Sequence, residues 1–141
     1  LGIVASFVVP RMSRGAAGGA GAGGGPDKVL VGRLKALRQA IAAYTDEHRG
    51  HTPDPDRIVA QLTGYTDWAG RTSPAKTSRH TFGPYIREIP PLPVGSKRGR
   101  STIGLPTDPG TAWTYDSTMG RIRANTLAGE CDSAGRAYAS Y

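Results

Sequence analysis

Apolar side chains recur along residues 26–49 in alternating steps of four and three residues. On a helix these positions share one face, and the residues are Leu30, Leu34, Leu37, Ile41 and Tyr44. Pro26 suits the first turn of a helix, whereas Gly50 and Pro53 favour its end. The pattern therefore predicts one long amphipathic helix whose apolar face packs against a core.

Apolar and polar residues alternate in two short segments near the end of the sequence, 111–115 and 121–125. Residues 116–120 between them have the composition of a turn, so the sequence predicts a β-hairpin. An isolated hairpin is only marginally stable in water, so we expect Trp113, Tyr115 and Ile122 to join the core of the long helix. A helix packed on a small antiparallel sheet makes the predicted fold class α+β.

The segment between the long helix and the hairpin carries weaker signals. Residues 55–63 predict a second, shorter helix with Asp54 as its N-cap and Gly64 as its stop. Periodicity fails over residues 66–93, which are rich in Gly, Pro, Ser and Thr. This composition predicts a long irregular loop that the rings of Trp68, Phe82 and Tyr85 anchor to the core.

An uncharged apolar run opens the sequence and stops at Pro10 and Arg11. As a helix of ten residues it is about 15 Å long, half of the roughly 30 Å of a bilayer core. We expect it to be the second half of a longer membrane or assembly helix, formed by Leu1, Ile3, Val4, Phe7, Val8, Val9 and Pro10. A first helix of a soluble core is the alternative, and a signal peptide is disfavoured because no basic region precedes the run.

A tract of glycine and alanine, residues 15–25, follows the apolar run. Each glycine costs a helix about 1 kcal/mol relative to alanine, so the tract predicts a flexible linker. The sequence therefore divides into an apolar helix remnant at 1–14, a linker at 15–25 and a globular head at 26–141.

The formal net charge of +7 raises the question of nucleic acid or anionic lipid. A basic cluster, Lys97, Arg98 and Arg100, follows the scattered basic residues Lys76, Arg79 and Arg87. Aromatic residues among such charges can stack on bases, as in single-strand binders. The surrounding Gly and Pro residues favour buried anchoring instead, so nucleic-acid binding is the less favoured interpretation.

No arrangement of residues nominates an active site. The single cysteine, Cys131, has no His or Lys beside it in the sequence to activate it. The pair His48 and His51 suggests zinc, but Gly50 separates them and no third ligand is evident. We therefore expect neither an enzyme nor a bound metal or cofactor.

The motifs together resemble a known family, the type IV pilin-like pseudopilins of type II secretion systems. The run LGIVASFVVPR is similar to the second half of the family's N-terminal hydrophobic helix. The downstream stretches that resemble its major-pseudopilin branch are 34–44, 48–53, 61–67, 82–90, 113–116 and 120–125. The resemblance covers most of the sequence, and its specificity comes from the order and spacing of the motifs.

The resemblance implies a pilin-like fold and a structural role. Such a subunit is held in the inner membrane by a single span, with its head in the periplasm, and then assembles with like subunits and other pseudopilins into a short filament. Its further partners are the inner-membrane assembly platform and the prepilin peptidase, which cleaves and methylates the precursor. A DNA-binding pilin-like protein of an uptake or type IV pilus system is the alternative, motivated by the charge.

Two features depart from the family pattern. The processing signature, a Gly before a methylated Phe and a Glu a few residues on, would lie upstream of Leu1. The tract at 15–25 replaces what is usually one continuous helix.

Major pseudopilins often hold calcium near the C-terminal sheet, where this chain offers Asp108, Asp116 and Asp132. Their wide spacing favours solvated turns over a calcium site, which needs six to eight oxygens.

Overall fold

The computed structural model describes residues 25–141 of the chain. Two α-helices, five short strands and one turn of 3₁₀ helix follow one another in this part of the chain. The helices are α1 (Gly25–Glu47) and α2 (Ile58–Thr63), and the 3₁₀ turn is Tyr138–Ser140. The strands are β1 (Tyr65–Thr66), β2 (Thr72–Ser73), β3 (Ile103–Gly104), β4 (Trp113–Asp116) and β5 (Arg121–Ala124). The fold is mixed α+β, which confirms the predicted class.

The long helix α1 lies within two residues of the predicted bounds at both ends. Its last turns remain hydrogen-bonded beyond Glu47, since the N–H of His48 donates to the Tyr44 carbonyl at 3.0 Å and that of Gly50 to Thr45 at 2.8 Å. Arg49 then adopts a φ of +58° and Gly50 a φ of +87°. This left-handed backbone ends the helix, as glycine after a helix commonly does.

One core holds the described elements together. All eight residues that the periodicities assigned to the core of the head are buried, and none is more than 3% exposed. The core is completed by Ile58 and Leu62 of the predicted second helix and by residues that carry no periodic signal, namely Tyr85, Ile86, Ile89, Leu92 and Val94. The irregular segment 85–94 therefore contributes as much of the apolar core as a regular element does.

The hairpin is formed by β4 and β5, as predicted. These strands are antiparallel with Tyr115 opposite Ile122 and Trp113 opposite Ala124, and these four inward-facing residues are all buried. Polar atoms on the buried rings find acceptors: the Trp113 indole N–H donates to the Pro90 carbonyl at 2.9 Å and the Tyr115 hydroxyl to Pro53 at 2.8 Å. Burial raises the pKa of Tyr115 to about 12.

The three-stranded sheet is not purely antiparallel, so that part of the prediction is wrong. β3 lies beside β4 in the parallel direction, with Ile103 opposite Trp113. The Thr102 carbonyl accepts the N–H groups of both Ala112 and Trp113 at 3.0 Å. A strand of two residues has no alternation to detect, which is why the pattern did not reveal it.

The second helix is shorter than predicted, because Asp54 is not its N-cap. The Asp54 carboxylate instead accepts the N–H of Asp56 at 3.0 Å and pairs with Arg57 at 3.3 Å. Residues 55–57 form a turn, and α2 starts only at Ile58. Gly64 ends α2 as predicted, with its N–H donating to the Ala60 carbonyl at 2.9 Å.

The predicted irregular segment 66–93 contains a small antiparallel pair, β1 with β2, and Phe82 bridges to Thr66 beside it. Two of the three expected anchors point inward, because Tyr85 is buried and Phe82 packs against the core. The expectation for Trp68 is wrong, since this side chain is 64% exposed. It stands on a tight loop between β1 and β2.

The last residues of the sequence dock on α1. The Tyr138 hydroxyl donates to the Asp27 carboxylate at 3.2 Å. The Arg38 guanidinium donates to the carbonyl of Tyr141 at 2.8 Å and to that of Ile122 at 3.2 Å. Arg38 thus links the helix, strand β5 and the C-terminal segment.

We predict that Leu34→Ala lowers the free energy of unfolding by about 2–5 kcal/mol, because it removes a buried side chain from the helix–sheet interface and leaves a cavity. Chemical denaturation followed by circular dichroism measures the change. The control is Gln39→Ala on the exposed side of the same helix, which we expect to change the value by less than about 0.5 kcal/mol. Equal losses in both variants would contradict this description of the core.

Candidate functional site

The residues expected to form an assembly helix, from Leu1 to Pro10, lie outside the described residues. Within 25–141, none of the helices combines the length and apolar character that a bilayer crossing demands. The head presents two candidate functional surfaces, one along α1 and one at its C-terminal end.

The first surface is the side of α1 that faces away from the core. It is exposed along about five turns and is lined by Lys28, Val31, Gly32, Lys35, Gln39, Ala42 and Asp46. Val31 is half-exposed although it is apolar. Gly32 has open space where a Cβ would lie, because no described atom outside its own stretch of helix backbone lies within 4 Å of that position. We name this surface the outer stripe of α1.

The second surface is built around the buried carboxylate of Asp67, which follows β1. Its Oδ1 accepts the N–H of Ala69 at 2.9 Å and that of Arg71 at 2.8 Å. Its Oδ2 accepts Nε of Arg71 at 3.0 Å. Burial alone would raise the pKa of Asp67, but these backbone hydrogen bonds and the Arg71 charge bring it below its ordinary value. The loop 67–71 is therefore closed by one ionised side chain.

The core side of the same loop is held by polar groups from both helices. Gln61 of α2 donates to the Gly70 carbonyl at 2.8 Å. His48, just beyond α1, stacks on the Tyr44 ring at 3.8 Å, and its ring nitrogens lie 2.8 Å from the Tyr44 carbonyl and 3.1 Å from that of Asp67. Gly70 has a φ of +87°, and a Cβ there would lie 2.8 Å from the Tyr44 hydroxyl. The loop is thus fixed from inside.

This loop exposes the side chain of Trp68 to solvent. Its indole ring lies under the Arg49 guanidinium, with 5.0 Å from the guanidinium carbon to the ring centroid. Such a cation–π contact is worth about 0.5–1 kcal/mol at an exposed site. Within residues 25–141 Arg49 forms no ion pair, so its charge remains available to a partner.

The sequence pattern does not predict the roles of Asp67, Gln61 and His48 in this loop. The stretches 48–53 and 61–67 contribute to the family resemblance, and the pair His48 and His51 otherwise suggests only zinc. A local signal for Asp67 existed, since an aspartate followed three residues later by glycine is typical of a turn. The contacts from Gln61 and His48 join segments distant in the sequence, so no local pattern could reveal them.

The two histidines do different things. His48 is buried between aromatic rings, whereas His51 is exposed and its Nδ1 lies 2.9 Å from the His48 carbonyl. In the part of the chain that the structure describes, no three His, Cys, Asp or Glu side chains come together as metal ligands would.

The three aspartates considered for calcium each serve a separate turn. Asp108 accepts the N–H of Gly110 and Asp116 that of Thr118, both at 3.0 Å. Asp132 accepts the N–H groups of Ala134 and Arg136 at 2.9 and 2.8 Å. Hydrogen bonding to Tyr141 and to the Arg136 backbone lowers the pKa of Asp132. The structure does not gather the three carboxylates into one site.

The basic cluster at 97–100 lies on a surface loop. Lys97 donates to the Asn125 carbonyl at 3.2 Å and Arg100 to that of Gly110 at 3.0 Å, while Arg98 is exposed. The rings of Phe82 and Tyr85 pack inward. The structure therefore does not combine these charges with an open aromatic surface.

Comparison with known proteins gives no assignment. No protein-family model matches the chain, and no curated protein or solved structure matches it.

We predict that Asp67→Asn flattens the acid side of the stability profile. The folded-state pKa of Asp67 is depressed, so its contribution to stability is present above the unfolded value of about 3.9 and is lost as pH falls through the folded pKa. Urea denaturation at pH 7 and at pH 3 measures this loss. We expect the variant to be less stable than wild type at pH 7 and the difference to shrink at pH 3.

The control for this experiment is Glu88→Gln, which neutralises an exposed acid outside the loop. It should leave the pH profile close to that of the wild type. A gap between Asp67→Asn and wild type that stays constant from pH 7 to pH 3 would contradict the role of the ionised carboxylate.

Proposed function

We propose that this chain is a structural pseudopilin subunit of a type II secretion system. The observation that carries the proposal is the one-sided burial of α1. From Leu30 to Tyr44 one face of the helix is buried in the core of the head, and the outer stripe is exposed. A helix used in this way supports its own head and still offers a face to neighbouring subunits.

The composition of the outer stripe supports helix-to-helix assembly. A glycine within a helix costs about 1 kcal/mol relative to alanine, and at Gly32 no other part of the described head packs near the position of its missing Cβ. Its cost therefore has no compensation within the described head. Glycine at such a position allows a neighbouring backbone to approach closely. A second small residue, Ala42, lies further along the same stripe.

The position of the apolar run supports the same proposal. It precedes α1 in the sequence, separated from it by residues 11–14 and the glycine and alanine tract. In the proposed role this run belongs to the helix that holds the subunit in the inner membrane and later packs in the filament core, with the head in the periplasm. The partners are then further copies of the chain, other pseudopilins, the assembly platform and the prepilin peptidase.

We predict that Val8→Lys in the complete gene product weakens membrane association. A lysine in the centre of an apolar segment costs insertion about 2.5–3.5 kcal/mol on a biological scale. Membrane fractionation in the native host measures the shift toward the soluble fraction. Val59→Lys is the control, because it places the same charge at an exposed valine of the head that lies outside the outer stripe. A wild-type product found entirely in the soluble fraction would refute membrane anchoring.

We predict that Gly32→Phe reduces assembly without unfolding the head, since the ring enters open space on the outer stripe. The measurement is the yield of cross-linked multimers in membranes together with secretion of the system's substrates. Gly129→Phe is the matched control, because Gly129 also has open space around it and lies away from α1. Equal assembly in both variants would contradict a role for the stripe.

A further inference from the structure

Two exposed apolar side chains lie near the C-terminal end of α1, one on each side of the segment 49–52 that follows the helix. Trp68 is 64% exposed and Met119 is 60% exposed. Trp68 lies under Arg49 at the start of this segment. Met119 stands on the turn of the β4–β5 hairpin, which the segment holds at its other end. We name this region the end surface of the head.

The hairpin side of the end surface is fixed to the segment by direct contacts. Thr52 donates its hydroxyl to the Ser117 carbonyl at 2.7 Å. A Cβ on Gly120 would lie 3.0 Å from the Thr52 methyl group, so the turn packs closely on it. The Asp116 carboxylate accepts the N–H of Thr118 at 3.0 Å, which holds the turn in shape. Met119 is thus presented by an ordered turn.

The Trp68 side is equally fixed, because Asp67, Gln61 and His48 hold its loop from inside. Ordering a flexible loop normally costs binding energy, and a preorganised one avoids that cost. Tryptophan and arginine are the residue types that most often carry the energy of a protein interface. Both are present here, and Arg49 forms no ion pair within residues 25–141.

The two sides of the end surface complement each other. One side offers an aromatic ring and a cation, Trp68 with Arg49. The other offers a thioether and a carboxylate, Met119 with Asp116. Methionine sulfur makes favourable contacts with aromatic rings, and a guanidinium pairs with a carboxylate. A two-fold axis through the segment between them would bring each side against the other side of a second copy.

We propose that two copies of this chain associate through the end surface, with Trp68 and Arg49 of each copy against Met119 and Asp116 of the other. Such an isologous contact uses the same patch on both copies and closes on itself. A filament grows by heterologous contacts that do not close. The proposal is therefore separate from the filament role, and it stands or falls independently of the outer stripe.

Site-specific cross-linking of the full chain tests the proposal. A Cys131→Ser background removes the exposed native thiol, and Ala69→Cys and Thr118→Cys are made in it as two separate variants. When the two are mixed and treated with a short bismaleimide, we expect the 69-to-118 dimer to exceed both same-site dimers. Trp68→Ala in both variants should reduce it about tenfold or more, as loss of a central interface tryptophan does.

Leu127→Ala is the matched control, because Leu127 is 58% exposed but is not part of the end surface. We expect it to leave the yield of cross-linked dimer unchanged. Unfolding midpoints of all variants establish that the head is intact. The proposal is overturned if the 69-to-118 dimer forms no more than the two same-site dimers. It is also overturned if Trp68→Ala leaves the yield of the 69-to-118 dimer unchanged.

A double-mutant cycle gives a second, independent readout. Arg49→Glu should weaken association in sedimentation velocity by placing like charges together, and Asp116→Asn should weaken it by removing the carboxylate while its amide oxygen still accepts the Thr118 N–H. If the two residues meet, the loss in the double variant is smaller than the sum of the two single losses. Additive loss in the double variant would show that these two residues do not meet.

Tryptophan fluorescence separates the second copy from other occupants. Trp113 is fully buried, so quenching by iodide reports on Trp68. In the proposed contact, protection from iodide rises with protein concentration in the wild type and is absent in Arg49→Glu. Protection that appears only on adding a single-stranded oligonucleotide or anionic phosphatidylglycerol vesicles, and never with protein concentration, overturns the proposal in favour of that ligand.

Discussion

The apolar face of α1 against the β4–β5 hairpin is the contact on which the rest of the head depends. The hairpin alone would be marginal in water, and the helix alone would expose a row of leucines. Each fully buried leucine contributes about 1.5–3 kcal/mol relative to exposure. Leu30, Leu34 and Leu37 are all essentially inaccessible, so this interface supplies a large share of the stability of a small domain.

The irregular parts of the head are organised by hydrogen bonds from side chains of the regular elements and not by periodic packing. Trp113 and Tyr115 bond the carbonyls of Pro90 and Pro53, and Arg33 bonds that of Pro91 at 2.6 Å. Each bond satisfies a carbonyl in a segment without strand or helix partners. Because a buried unpaired polar group costs about 1–3 kcal/mol, these contacts specify where the irregular segments run.

Both proposals for this head rest on exposed surfaces. The outer stripe of α1 stays exposed because the core uses only the opposite side of the helix. The end surface exists because Asp67, Gln61 and His48 fix a loop that carries Trp68 outward. An apolar ring of that size on a rigid support favours association, since little conformational freedom is lost when a partner covers it.

The sequence by itself determined the elements whose side-chain period is regular. The spacing of apolar residues located α1 and the β4–β5 hairpin, and the residues it assigned to the core are all buried. It also located the end of α2 at Gly64. These are local properties, since a helix face or an alternating strand is encoded within a few residues.

Only the tertiary structure decided the rest. Whether an aromatic ring is an anchor or an exposed contact depends on which way its loop turns, and Asp67 turns Trp68 outward whereas Phe82 and Tyr85 pack inward. The parallel pairing of β3 and the use of Asp54 in a turn likewise depend on neighbours met through folding. Contacts between segments distant in the sequence leave no periodic trace, so they become visible only when the chain is folded.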